Sequence, residues 1–277
     1  MNTTEAIHVV KANGKTEAFS PLKLENSLLK SGADHETVDD IVRHVAAELK
    51  EGMSTSQIYK HAFFLLGKKQ KPVATRYSLR RAIMELGPSG FPFEDFVGHI
   101  LREKGFEVMT DQMVLGGCVE HEVDVVAWNE NKLIMAEAKF HNGLGIKSDL
   151  KVALYVKARF DDLRDTTFLY GKERKLDEGW LITNTKFSST AIHYAECKGL
   201  TLIGWNYPKQ GNLQDMIVDS GLHPLTCLTS LSASQKKMLL MRGIVLCKSL
   251  KEDAAILRSI GLNSLKADKV IQEISTL

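Results

Sequence analysis

Two acidic residues and a lysine, close together in one short stretch, are the side chains best placed to do chemistry. Residues 117–141 read GCVEHEVDVVAWNENKLIMAEAKFH. Two apolar-rich runs, 121–128 and 132–140, flank a turn signal at Asn129, Glu130 and Asn131. Strand side chains alternate faces, so Glu122 shares a face with Asp124, with Val123 and Val125 opposite. On the second run Glu137, Lys139 and His141 share a face. Charges among Val, Ile and Ala are costly to bury unless paired or bound to a metal. The group therefore reads as a cation site or as a structural ion cluster, and ion clusters stabilise poorly compared with apolar packing.

The surrounding elements must hold that hairpin. A helix from residue 92 repeats Phe93, Phe96, Val97, Ile100 and Leu101 at helical spacing, with Gly105 as its stop. Glu94 lies in its first turn, where a carboxylate either favours the helix dipole or reaches the hairpin. Residues 106–108 form a first short strand. After the hairpin, Ser148 is the expected N-cap of a helix to about residue 163, on which Lys151 and Tyr155 share a face. A strand at 180–183, a helix at 188–198 and a strand at 200–205 close the unit. This order predicts an α/β fold, a mixed sheet flanked by helices.

Upstream, residues 7–12 and 15–19 flank the hairpin signal Asn13, Gly14. Ser20 and Pro21 open a helix. Three more follow, over about 34–49, from Ser54 or Thr55, and over about 72–86. Gly87, Pro88, Ser89 and Gly90 mark a linker. The expected units are 1–88, 89–208 and a helical tail, 209–277. In the tail Ser249 and Glu252 read as a capping box before a helix to Ile260, and Leu265, Val270 and Ile274 line a last helix.

Composition sets bounds. The chain has 277 residues, 44% hydrophobic and 25% charged, ordinary for a globular protein of about two domains. A net charge of +2 announces no polyanion partner, but the distribution is uneven. Residues 1–90 carry 13 basic and 10 acidic groups, 91–208 carry 14 and 18, and 209–277 carry 9 and 6. The acidic middle holds the hairpin, between mildly basic flanks. The four cysteines form no CxxC pair, which argues against zinc. Neither a signal peptide nor a membrane span is read, so a cytoplasmic protein is expected.

The N-terminal order resembles the ATP-cone domain, on VVKANGKTEAF, SPLKLENSLL, the helix start at 54–58 and RYSLRRAI. That resemblance implies that Lys11, Glu17, Lys23 and Thr55 contact ATP or dATP as an effector. It departs from the family in Ala12, where an arginine usually follows the lysine, and in Tyr59, often a histidine. The opposing expectation is a cone that serves as an interaction module without nucleotide.

Residues 91–206 resemble PD-(D/E)xK nucleases of the restriction-endonuclease-like fold, specifically the Mrr-like class. FEDFVGHILREKGFEV matches the first helix and strand, HEVDVVA supplies the aspartate and EAKF the Glu-x-Lys. LITNTKFSSTAIHYAECKGLTLIGWN is similar to the closing strand-helix-strand. The resemblance implies a DNA endonuclease. Asp124 and Glu137 are then the ligands of Mg²⁺, a hard cation that keeps waters and binds through one or two carboxylates. Lys139 orients or deprotonates the attacking water, or stabilises the transition state. Glu94 acts through a water or a second ion. His141, Lys151 and Tyr155 contact phosphate; related nucleases often carry Gln-x-x-x-Tyr where this chain has Lys151 and Tyr155. A surface role for His141, a solvated Lys151 and a structural Glu122 are the plainer alternatives.

The tail junctions at 239–244 and 257–262 slightly resemble helix-hairpin-helix DNA binders, against a packing or dimerisation appendage. The expectation is thus an Mg²⁺-dependent, nucleotide-responsive DNA endonuclease and, by analogy with other cones, a homo-oligomer. The rivals are a non-cleaving nucleotide-sensing DNA-binding regulator and an RNA-directed nuclease.

Overall fold

The structure is a computed structural model that describes residues 6–11, 14–143, 145–253 and 255–277, with the backbone alone at 71 and 72. The chain opens with antiparallel β1 (His8–Val10) and β2 (Thr16–Ala18). Lys11 N–H donates to Lys15 O at 2.8 Å, and Gly14 adopts φ +78°, which favours glycine. Asn13, half of the expected turn signal, and Ala12 before it lie outside the described residues.

Four helices follow: α1 (Pro21–Lys30), α2 (His35–Glu48), α3 (Thr55–Lys69) and α4 (Lys71–Met84). Asp34 caps α2 by accepting from Thr37 N–H at 2.7 Å. Ser54 and Gln57 form a reciprocal capping box on α3. Leu28, Ile41, Val45, Ala62 and Leu66 fill the core between α1, α2 and α3.

The middle unit comprises α5 (Phe91–Glu103), β3 (Glu107–Leu115), β4 (Glu120–Trp128), β5 (Leu133–Lys139), β6 (Lys147–Ser148) and α6 (Leu150–Arg164), then β7 (Phe168–Tyr170), β8 (Lys172–Arg174), β9 (Glu178–Thr183), β10 (Lys186–Phe187), α7 (Ser189–Lys198) and β11 (Thr201–Ile203). The central sheet runs β11-β9-β5-β4-β3, parallel from β11 to β5 and antiparallel from β5 to β3. This is the expected mixed sheet flanked by helices. Phe93, Phe96, Val97 and Ile100 of α5 cover one face with Val125, Ala136 and Ile182. Val156 and Phe160 of α6 and Ala191 of α7 cover the other with Val126, Met135 and Leu181. Gly179 is required where α6 crosses: a Cβ there would lie 2.8 Å from Phe160 Cγ.

Three local expectations are corrected. β3 does not stop at Val108 but continues to Leu115 as a largely exposed edge strand against β4. Asp149, not Ser148, caps α6, through Lys151 N–H and Val152 N–H, because the Ser148 hydroxyl is engaged by the His141 ring at 2.8 Å. Simple alternation also fails within β4. Val123 packs in the α6 cluster, whereas Val125 packs against α5. The β3–β4 ladder pairs Thr110 with Val125 and Gln112 with Val123, and skips the position where Asp111 faces Asp124. Asp111 there has φ +54°, a left-handed backbone that Asp tolerates better than most residues.

The C-terminal region holds α8 (Leu213–Ser220), a 3₁₀ turn at Leu225–Cys227, α9 (Ala233–Leu240), α10 (Cys247–Glu252), α11 (Ala255–Ser259) and α12 (Ser264–Ile274). Ser249 lies inside α10, so the expected capping box at Ser249 and Glu252 does not form. The box is instead Ser232 with Gln235, at the start of α9. Both Leu-x-x-x-Gly junctions end helices: Ile244 N–H returns to Leu239 O, and Leu262 N–H to Leu257 O. Leu239, Leu257 and Leu262 are buried in one apolar cluster with α12.

α4 joins the three units. Val73 and Ala74 enter the first core, Leu79 and Ile83 the core under α5, and Ala82 the C-terminal core. Thr226 Oγ1 donates to Ala82 O at 2.6 Å. No described helix is long and apolar enough to cross a membrane.

Candidate active site

The hairpin β4–β5 points its charges at α6. Ile134, Ala136 and Ala138 pack under α5, so alternation turns Glu137 and Lys139 to the α6 side. Glu137 Oε2 pairs with Arg159 Nη1, and both side chains are largely buried. Arg159 Nη2 donates to Tyr155 OH at 2.6 Å, and its guanidinium lies 4.9 Å from the Tyr155 ring centre. Asp124 Oδ2 accepts the Ala138 N–H at 2.6 Å, which ties the aspartate on β4 to the strand that carries Glu137 and Lys139.

The electrostatics are those of crowded carboxylates. Burial, then the neighbouring Glu137 charge, pushes the Asp124 carboxyl up to about 7. Burial, then Asp124 and Asp111, pushes Glu94 up to about 7. Glu94 thus lies within the field of the hairpin, one turn into α5. Its carboxylate also lies over Gly90, where a Cβ would meet Glu94 Oε1 at 2.7 Å. Among the described residues no three His, Cys, Asp or Glu side chains converge on one point as metal ligands. Asp124 and Glu137 nevertheless fit a divalent cation as hard-oxygen donors. They are two carboxylates whose repulsion a cation relieves, and Mg²⁺ takes one or two carboxylates and completes its shell with water.

The remaining expected site residues make no direct hydrogen bond or ion pair to Asp124 or Glu137 among the described residues, although Tyr155 is joined to Glu137 through Arg159. Lys139 is exposed and has no hydrogen-bond or ion-pair partner among the described residues. The His141 ring is occupied by Ser148, and its main chain is held by buried Asn184, which accepts from His141 N at 2.8 Å and donates to His141 O at 2.9 Å. Burial, then the Lys139 charge, lowers the His141 pKa. Lys151 and Tyr155 are exposed on α6. In the first unit Lys11 Nζ and Lys23 Nζ both reach Glu17 Oε2, at 2.6 and 2.9 Å, and hold its carboxyl below the usual range. Thr55 opens α3 beside Ser54, which bridges to Val10 of β1.

Sequence reading missed Arg159 and Asp111. Arg159 was within reach, since Lys151, Tyr155 and Arg159 recur every four residues on one helical face. Asp111 carried no signal, because nothing in the residue order marks a left-handed break in a strand.

Asp162 organises the far end of the same hairpin. Its carboxylate accepts from Cys118 N–H at 2.9 Å, from Val119 N–H at 3.3 Å and from the His121 ring at 2.8 Å. The His121 bond, then the Cys118 side chain, holds its carboxyl down at about 2. The contribution of a carboxyl lowered in this way is present above the unfolded pKa of about 3.9 and is lost as pH falls through about 2. Asp162→Ala is expected to speed hydrogen exchange at the Cys118 and Val119 amides about tenfold at pH 6. Unchanged protection would show that the turn holds without this cap.

A mixed sheet between α5 and the α6–α7 pair, with acidic groups and a lysine on its central hairpin, defines a restriction-endonuclease-like domain. Residues 87–206 match the restriction endonuclease family, residues 7–84 the ATP cone domain, and residues 223–277 the AF1548-like C-terminal family. An uncharacterized protein of Archaeoglobus fulgidus is 38% identical over 178 residues, 64% of this chain and 97% of that protein. The crystal structure of AF1548, a protein of unknown function, is similar at a TM-score of 0.55 and 36% identity, over 68% of this chain and 97% of that one. The chain belongs to the family of that Archaeoglobus fulgidus protein, and it carries an ATP cone domain, a restriction endonuclease domain and an AF1548-like C-terminal region in that order.

Proposed function

We propose that the protein is an Mg²⁺-dependent endonuclease of the Mrr-like class, hydrolysing phosphodiester bonds in DNA and responsive to ATP or dATP through its cone. The observation that carries this reading is the hairpin itself: Asp124 fastened to Ala138 N–H, between Glu137 and Lys139, with its carboxyl pushed up by burial and like charge. Asp124 and Glu137 would hold the cation, which when bound would supply charge neutralisation at the scissile phosphate and a water of lowered pKa. Lys139, exposed and with no competing partner among the described residues, orients or deprotonates the attacking water or stabilises charge on the phosphoryl oxygens. Arg159 keeps Glu137 fixed. Lys151 and Tyr155, on the exposed face of α6, meet the phosphate backbone. His141 acts by position, bonded to Ser148 two residues beyond Lys139. Glu94, with a carboxyl near neutrality, acts at one remove, through water.

Incubation with Mg²⁺ tests the assignment on methylated and unmethylated plasmid, single-stranded DNA and RNA. Wild type is expected to nick DNA, chelator to stop it, and Lys139→Ala to slow it about 10²–10⁴-fold. Wild type leaving every substrate intact would overturn the nuclease reading. Cleavage of RNA alone would move the substrate to RNA.

A further inference from the structure

The cations of the cone do not end at the cone. β6 and β10 pair in parallel with Lys147 opposite Lys186. Like charges directly opposite one another on paired strands are destabilising. Neither ammonium has a hydrogen-bond or ion-pair partner among the described residues, and both side chains are exposed. After burial, the charges that depress the Lys186 ammonium are those of Arg80 on α4, Lys147, Lys11 and Lys23. Five cations from both units thus share one field. Lys11 and Lys23 are both paired with one oxygen, Glu17 Oε2, whereas Lys147 and Lys186 have no such pairing among the described residues.

We propose that the seat between the cone and the β6–β10 pair binds a polyphosphate, the triphosphate of a nucleoside held by the cone, with Lys147 and Lys186 as its ligands from the nuclease-like unit. This rests on the reading that the cone takes ATP or dATP, and it adds the residues through which occupancy reaches the hairpin. Ser148 follows Lys147 and bonds the His141 ring, two residues beyond Lys139. Asp149 is the cap of α6, which carries Lys151, Tyr155 and Arg159. Asn184, two residues before Lys186, clamps the main chain of His141 from both sides and donates to Met84 Sδ of α4 at 3.1 Å. An anion that draws Lys147 and Lys186 together therefore acts on the lysine end of β5 and on the start of α6 at once.

Binding of inorganic triphosphate, ATP and a short DNA duplex is measured calorimetrically on the full chain, for wild type and for the double variant K147Q/K186Q. The variant is expected to lose about tenfold or more in affinity for triphosphate and ATP. Its thermal midpoint without added anion is expected to equal or exceed that of wild type, since a like-charge contact is removed. Equal triphosphate affinity in the two proteins overturns the proposal. So does a variant that keeps triphosphate affinity and loses only DNA, which would make the seat a nucleic-acid backbone contact. Wild type that binds triphosphate but not ATP, with the triphosphate lost in the variant, upholds the seat and removes nucleoside recognition from the cone. Wild type that binds neither anion removes both.

Discussion

Asp124→Asn is expected to slow cleavage about 10³-fold and, in the metal-free protein at pH 8, to make the fold more stable. The two effects have one cause. Asp124 is pushed up to about 7 first by burial and then by the Glu137 charge, with the Ala138 N–H and the Arg159 charge acting the other way. A carboxyl raised in the folded state contributes stability that is fully present below its unfolded pKa of about 3.9 and is lost as pH rises through about 7. Wild type in chelator is thus expected to lose stability between about pH 4 and 7 and to level off above it. Glu94 is raised in the same field, in part by the Asp124 charge, so the part owed to Asp124 is on the order of 2 kcal/mol. Asparagine stays neutral and still accepts the Ala138 N–H, so the variant escapes that loss. If Asp124 holds the cation as proposed, the same change removes a ligand charge worth about 4 kcal/mol of transition-state stabilisation, about 10³-fold in rate. Thermal melts from pH 5 to 8 in chelator, alongside nicking rates in Mg²⁺, check both halves. Parallel pH slopes in the two proteins would place the strain elsewhere.

That site was largely legible in the residue order, for physical reasons. The β4–β5 hairpin is short-range, its turn is marked by Asn129 and Asn131, and its apolar residues run as buried strands do. Charges that interrupt such runs stand out, so Asp124, Glu137 and Lys139 were visible. The helix α5 was readable from Phe93, Phe96 and Ile100 at one spacing, Ser54 is the cap of α3 as one of the two residues expected there, and Asp34 and Ser188 cap the helices expected to start at them. What escaped depends on contacts between distant segments. β6 and β10 are two residues each and have no periodicity. The partners of α4 are three cores, and an amphipathic pattern names a buried face without naming what covers it. The misplaced α10 shows the same limit. Ser249 and Glu252 satisfy a cap pattern, but Cys247 N–H bonds His223 O, and the bridge between Pro224 and Leu246 starts the helix earlier. The break at Asp111 follows from its own φ of +54°, which no neighbouring residue dictates.

Arg159→Met is expected to cost the metal-free protein about 3 kcal/mol at pH 8, the low end for removing one partner of a buried ion pair. Arg159 and Glu137 are only 10% and 14% exposed at their side chains, so Glu137 would be left as a buried carboxylate facing Asp124. Methionine keeps much of the apolar stem and packing against Tyr155, which confines the loss to the charge and to the bond with Tyr155 OH. Mg²⁺ is then expected to raise the thermal midpoint of the variant more than that of wild type. In wild type the guanidinium already offsets part of the negative charge, and an arriving cation gains less from it. The Asp124 carboxyl should shift in the same direction, further up without the Arg159 charge and back down once the cation binds. Calorimetric melts with chelator and with Mg²⁺ separate the cases. An unchanged metal-free midpoint would mean that solvent already screens the pair. An equal Mg²⁺ increment in both proteins would mean that Arg159 and the cation do not share the charge of Glu137.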